Sequence, residues 1–275
     1  MTVERMIGVR GARLHARVDG DGPPIVLVHA GIVDSRAWDP LVPLLTGAGY
    51  RAIRYDIRGF GRSETEDVDF SNRDDLIAVL DAFGVGRACL VGNSGGATIA
   101  FDAALEYPQR AAAVVLIGGT IGGYEPEPTP EEVAAFEGME ALEEAGTDPE
   151  AMADFQFGLW IDGLGQPVGR IPQAMRSWLR PMVVGTCDPS RVYGRPIRLD
   201  PPAAERLDVA EMPILAIHGA LDVSDIEATG RHLAATSPNA RFEIVPDTAH
   251  LVAVEAPARV AELILELVRP LGNFS

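Results

Sequence analysis

Apolar positions along the chain follow two rhythms. Short runs of strand length recur as PIVLVH at 24–29, YRAIRYD at 50–56, RACLVGN at 87–93, AAVVLIG at 112–118, MPILAIHG at 212–219 and ARFEIVP at 240–246. Their near-continuous Val, Ile and Leu content fits strands covered on both faces, and the longer helical patterns between them fit the crossovers of a parallel sheet. Upstream, ERMIGVR and ARLHARV alternate apolar with polar positions on either side of Gly11, the pattern of an antiparallel hairpin at a sheet edge. The expected fold class is α/β, a mostly parallel, doubly wound sheet.

Between 122 and 207 the strand rhythm stops. The segment is rich in Pro and Glu, and its periodicity predicts helices near 130–144, 149–161 and 172–184 and no strand. Pro130 follows Thr129 and Pro149 follows Asp148, the cap-then-proline order of a helix start. Phe155, Phe157, Trp160, Ile161, Trp178 and Met182 give these helices apolar faces to bury, which separates the segment from an acidic disordered linker. The expected organisation is a core of residues 1–121 and 208–275 carrying a helical lid at 122–207.

A length of 275 residues, long for one domain and short for two, agrees with one core plus an insertion. No segment has the uninterrupted apolar length of a membrane span, and MTVERMIGVRG carries no apolar stretch behind its charges. A soluble, cytoplasmic protein with no membrane partner is expected. The formal charge of −17 repels phosphate backbones, so nucleic acid is not an expected partner. Cys89 and Cys187 lie far apart and match no ligand spacing, so no metal site is expected. All 23 basic residues are arginine, which removes Schiff-base chemistry and a phosphate-loop lysine.

The stretch LVGNSGGATIA, 90–100, runs from strand to helix through a serine among glycines. A strand ending at Asn93 and a helix beginning after Ser94 force a sharp turn at the serine. Gly92 and Gly96 let strand and helix pass closely, and Gly95 keeps bulk off the N–H beside the hydroxyl. The turn holds Ser94 at a helix N-terminus, where a developing anion is favoured. A dinucleotide-binding loop does not fit, because the spacing differs from G-x-G-x-x-G and other strands precede this one.

A serine hydroxyl needs a base, and the base needs a carboxylate. Of five histidines, His15 falls inside the edge hairpin and His232 inside a late helix; both are expected at the surface. His29 and His218 complete strands, where a backbone-bonded imidazole is a common structural fitting. His250 sits in the loop DTAH, free to reach across, and is the candidate base. Asp222, in the loop HGALD three residues past a strand, is the candidate acid; Asp225 fits a cap for the helix starting near Ile226.

With Ser94, Asp222 and His250 in that chain order, the sequence resembles the α/β-hydrolase family over nearly its whole length. VLVHAGIVDSRAW is similar to the family's strand-and-oxyanion-loop segment, with Trp38 in place and Ala30 where glycine is usual. The resemblance implies Gly31 and Gly95 as oxyanion donors. YDIRGFGRSE resembles the family's D-x-R-G-x-G-x-S turn, in which Asp56, Arg58 and Ser63 brace a loop. HGALD and DTAHLVAVEAP match its acid and histidine loops, and the helical insertion its lid.

The family implies acyl transfer to water with no cofactor. It also implies an aspartate at the elbow in dehalogenases and epoxide hydrolases, which Ser94 opposes, and an active-site lysine in plant-type hydroxynitrile lyases, which this chain lacks. Ring-cleavage C–C hydrolases share a G-N-S-x-G-G elbow, one residue longer than the GNSGG here. A small-molecule ester or lactone is the first expected substrate, a C–C bond the second, and slow or non-catalytic ligand binding the third reading. Trp160, Phe157 and Trp178, with Phe155, are candidate pocket residues, and Asp34 and Arg36 either meet a polar substrate group or face water. The sequence leaves a homodimer open.

Overall fold

A computed structural model describes residues 2–274. The edge hairpin forms as expected, with β1 (Val3–Val9) antiparallel to β2 (Ala12–Asp19) across Gly11. The parallel strands are β3 (Pro24–Val28), β4 (Arg51–Tyr55), β5 (Ala88–Asn93), β6 (Ala111–Ile117), β7 (Ile214–Gly219) and β8 (Ala240–Val245). Their order across the sheet is β1-β2-β4-β3-β5-β6-β7-β8, and the short strand Glu64–Thr65 also pairs with β2. Every residue of β3, β5, β6 and β7 is buried, which is why these strands carry continuous apolar runs and not alternation.

Helices cover both faces. They are α1 (Val42–Gly47), α2 (Asn72–Ala82), α3 (Gly95–Glu106), α4 (Pro130–Glu144), α5 (Pro149–Gln156), α6 (Gln173–Thr186), α7 (Ser224–Thr236), α8 (Val252–Glu255) and α9 (Pro257–Val268). One core joins Leu76, Leu80, Ala97 and Phe101 of α2 and α3 to Val26, Leu90 and Val114 of the sheet. The other joins Leu45, Val260 and Ile264 of α1 and α9 to Leu27, Val91 and Leu215. Neighbouring residues of one strand thus serve opposite cores, as pleating requires.

The inserted segment holds three helices close to the expected positions. Thr129 and Glu132 close a reciprocal capping box at α4, and the Asp148 carboxylate accepts from Glu150 N and Ala151 N at α5. Two details differ from expectation. The second helix ends at Gln156 and continues as a π-type turn over Phe157–Ile161. A two-residue strand, Arg195–Pro196, pairs in parallel with Asp69–Phe70, although no strand is predicted there. Two residues carry no readable alternation, so the pairing is invisible in the pattern. Among the described residues no helix is long and apolar enough to cross a membrane.

Arg170 fastens this segment to the core. Its guanidinium donates to Ile161 O, Asp162 O and Asp247 O, and to the Glu255 carboxylate at 2.5 Å. Glu255 in turn accepts from Ala249 N at 2.9 Å. Replacing Arg170 by Met leaves a buried carboxylate without its cation, which costs about 3–5 kcal/mol. Urea unfolding of Arg170→Met is expected to show a loss of that size; an unchanged midpoint would mean the strap carries no stability.

Candidate active site

β5 ends at Asn93 and α3 begins at Gly95, so Ser94 makes the whole turn, with φ 54° and ψ −125°. Such a backbone costs a non-glycine residue about 1–3 kcal/mol and persists only where its surroundings impose it. Here Ser94 N donates to Ile117 O at 2.9 Å, and Ala97 N to Ser94 O at 2.8 Å. The flanking glycines answer to close approach: a Cβ on Gly92 would lie 2.1 Å from Gly96 O, and one on Gly96 2.2 Å from Val28 O. Gly95 differs. A Cβ there would meet nothing within 4 Å, so packing does not require this glycine. The room beside it belongs to a cavity of about 360 Å³ walled by Gly31, Gly95, Phe60, Ile99 and Ile197.

Asp222 and His250 meet as the sequence reading expects. Nδ1 of His250 lies 3.0 Å from Oδ1 and 2.9 Å from Oδ2 of Asp222, and both side chains are buried. Asp222 Oδ1 also accepts from Val223 N at 2.9 Å. This arrangement leaves Nε2 as the ring nitrogen available to a reacting group. Asn93, next to Ser94, donates through Nδ2 to His250 O at 3.1 Å and to Ile117 O at 3.0 Å. The serine turn and the histidine loop are therefore held together by one amide. Ser94 Oγ makes no hydrogen bond among the described residues.

Trp160 touches the site through its backbone and its ring. Its carbonyl accepts from His250 N at 3.2 Å, and its indole lies 4.7 Å from the imidazole. Phe157 and Trp178 lie elsewhere than expected. Phe157 is fully buried with the Arg176 guanidinium over its ring, and Trp178 packs against the same apolar cluster; neither they nor Trp160 wall the cavity beside Gly31 and Gly95. Their helical spacing reflects packing.

Three further expectations need correction or completion. His15 is buried, not at the surface, with Nδ1 3.1 Å from Asp56 Oδ2 and its backbone N–H on Ser63 Oγ. The 56–63 turn folds back over the hairpin, a long-range event that strand position alone does not reveal. Asp225 does not cap α7, which starts at Ser224; its Oδ1 is buried without a partner, and burial pushes its pKa up. Asp34 is buried and pairs with Arg36, whose guanidinium is largely exposed.

Asp56, Arg58 and Ser63 act as braces. Asp56 accepts from Ser35 N and Arg62 N, each at 2.9 Å, and Ser63 Oγ donates to Asp56 O. Burial alone would raise the Asp56 pKa, but hydrogen bonds from His15, Arg62 and Ser35, with the nearby His29, outweigh it and hold the carboxyl well below its usual range. Arg58 pairs with Asp75 at 2.5 Å. His29 is the fitting expected of it, Nδ1 on Ala30 O and Nε2 accepting from Ile57 N, and burial lowers its pKa.

The sequence pattern of the alpha/beta hydrolase family matches residues 25–263. The chain belongs to that family. Epoxide hydrolase B of Mycobacterium tuberculosis strain ATCC 25618 / H37Rv is 37% identical over 130 residues, 44% of this chain and 36% of the relative, so the match spans about a third of that relative's length. Rhodomycin D methylesterase DauP of Streptomyces sp. strain C5 is 30% identical over 267 residues, 86% of this chain and 89% of the relative. Among solved structures, Est816, an N-acyl homoserine lactone degrading enzyme, superposes with a TM-score of 0.71 at 25% identity, over 96% of this chain and 100% of that one.

Several residues that shape this hydrolase's site escape a sequence reading. Gly118, at φ +53°, ends β6 where a Cβ would lie 3.0 Å from His250 O and 3.2 Å from Asp222 Oδ2. The glycine pair at 118–119 after an apolar run is the signal. Glu132, on the inserted α4, accepts from Ser224 N and Ser224 Oγ beside the acid loop. Asp102 faces the cavity from α3; its spacing from Gly95, Thr98 and Ile99 places all four on one helical face.

Gly96→Ala tests the close approach at the elbow. The added methyl meets backbone carbonyls that cannot yield cheaply, so a loss of about 3 kcal/mol or more is expected in chemical unfolding. Gly95→Ala, in open space, is expected to unfold within about 1 kcal/mol of the parent.

Proposed function

We propose that this hydrolase cleaves small carboxylic esters or lactones through an acyl-enzyme on Ser94. The observation that carries the reading is a strained serine at the start of α3, tied by Asn93 to a buried His250–Asp222 pair. Ser94 Oγ attacks the substrate carbonyl carbon while His250 Nε2 takes its proton. The imidazolium is stabilised by Asp222, whose contact with Nδ1 also fixes the tautomer. The N–H groups of Gly31 and Gly95 receive the oxyanion; Gly95 N, at the first position of α3, has no intrahelical acceptor. The tetrahedral adduct collapses, the leaving oxygen takes the proton from His250, and water repeats the sequence to free the acid.

The methylesterase relative, aligned over most of both chains, supports ester chemistry, and the likeness to a lactone-degrading enzyme supports cyclic esters. Epoxide opening has less support, since the resemblance expects an aspartate where Ser94 stands. Trp160 positions His250 and the inserted helices act as a lid over it.

Short p-nitrophenyl esters and a γ-lactone provide the test, with a fluorophosphonate to label the nucleophile. The parent is expected to turn over and to gain one adduct on Ser94. Ser94→Ala should lose label and about 10⁴-fold or more of kcat, and Asp222→Asn should lose on the order of 10³–10⁴. Folded parent protein that neither labels nor hydrolyses would defeat the reading. A preference for a 2-hydroxy-6-oxo-dienoate over every ester would move it to C–C hydrolysis.

A further inference from the structure

Asp102, half-buried on α3, is a cavity-lining carboxylate that accepts no hydrogen bond from the described residues. It lines the cavity beside Gly31 and Gly95 and also an adjoining cavity of about 540 Å³ that reaches Tyr124 and Phe136. No hydrogen bond reaches its side chain among the described residues. The cations nearest to it are engaged elsewhere: Arg73 holds Glu106 and Ile197 O, and Arg206 donates to Leu105 O at 2.8 Å. Burial outweighs the fields of Arg73 and Arg206, and with Glu106 nearby pushes the Asp102 pKa up to about 6. The ionised form of this half-buried carboxylate is thus only partly compensated, by cations that do not hydrogen-bond it.

Ile57, Phe60, Ile99, Pro196 and Ile197 give this cavity its apolar lining; its polar lining besides Asp102 is Thr98, whose Oγ1 donates to Thr120 O, with Asn72, Arg73 and Arg198. Along α3, Gly95 and Asp102 are seven residues apart, about 10 Å of helix rise, and the backward tilt of the side chain shortens the reach to about 8–9 Å. A substrate that places its carbonyl at Gly95 N and runs along this face thus meets a mainly apolar wall and then a carboxylate that no described side chain hydrogen-bonds.

We infer that Asp102 docks a primary ammonium on the acyl chain of the substrate, making this a hydrolase for ω-amino acyl esters. The inference rests on the Ser94 reading above. An ammonium there supplies both the counter-charge and the hydrogen bonds that Asp102 lacks, and the apolar wall covers the intervening methylenes. Arg198, which lines the same two cavities, is the chain's own competitor for the carboxylate.

The decisive comparison is p-nitrophenyl 7-aminoheptanoate against p-nitrophenyl octanoate, an isostere with methyl in place of ammonium. The acyl chain of either spans about 8–9 Å. At about pH 8 both the amine and Asp102 are ionised. Normalised to their rates in alkali, the amino ester is expected to show a kcat/KM about tenfold or more above octanoate, the scale of a hydrogen bond to a charged group. Asp102→Asn should erase the preference. Asp102→Glu should instead move it one methylene shorter, favouring 6-aminohexanoate over heptanoate, a shift that a merely structural role would not produce. Equal rates for the amino ester and octanoate overturn the inference while leaving ester hydrolysis standing. A preference that emerges only in Arg198→Gln also overturns it, since the carboxylate would then be occupied by Arg198. Parent protein that hydrolyses no ester at all overturns the Ser94 reading first.

Discussion

The site depends on a turn that the chain would not adopt by itself. Ser94 is held at positive φ because its N–H is committed to β6 and its carbonyl to the first turn of α3. The crossing is so tight that Gly96 touches the carbonyl end of β3, at Val28 and His29. The loop carrying Gly31 leaves from that same end. The helix that positions the serine is therefore seated against the strand that launches the loop carrying Gly31. Strain of about 1–3 kcal/mol is small beside the two cores that clamp this junction from opposite faces.

The histidine side of the site is fixed by a different device. Residues 247–250 form a short irregular segment whose polar groups are distributed among partners from several elements: Ala249 N on Glu255, Asp247 O on Arg170, His250 N on Trp160 O and His250 O on Asn93. Two of these partners belong to the inserted segment. On the acid side, burial works against ionisation of Glu132, but hydrogen bonds from Ser224 and Thr129 outweigh it and hold its carboxyl below the usual range. The same residue closes the capping box of α4. One side chain thus starts an inserted helix and braces the Asp222 loop, so the insertion is part of the structure that positions the Asp222–His250 pair.

Local pattern and global closure account for what the sequence revealed. The strands, the elbow glycines and the Asp222–His250 pairing were legible, because burial on both faces, close approach at a βα turn and strand-end position each leave a local mark. His15 was not, since its burial depends on a turn some forty residues later folding back over it. Asp225 was misread by two residues of helix boundary, within the range on which cap assignments generally fail. Phe157 and Trp178 have the same helical spacing whether they face substrate or a packing partner, and only the folded arrangement separates the two. Asp102 shares a helical face with Gly95, yet an acid on an amphipathic helix ordinarily faces water, so its enclosure had no sequence signal.

The absence of lysine fits how the site is assembled. Arg58 bridges Asp75 and Arg10 O, Arg73 bridges Glu106 and Ile197 O, and Arg170 joins one carboxylate to three carbonyls. Arg191 adds a bond to Gly59 O in the turn whose Phe60 lines the cavity beside Gly95. A planar fork with five donors can satisfy an acid and several backbone acceptors at once, whereas an ammonium is a compact point charge. Loops that lack secondary structure need their carbonyls satisfied when buried. In this chain arginine supplies those donors and, with its charge, offsets the acids around them. Asp102 stands out because Arg73 and Arg206 reach it with their charge but donate their hydrogen bonds to other acceptors.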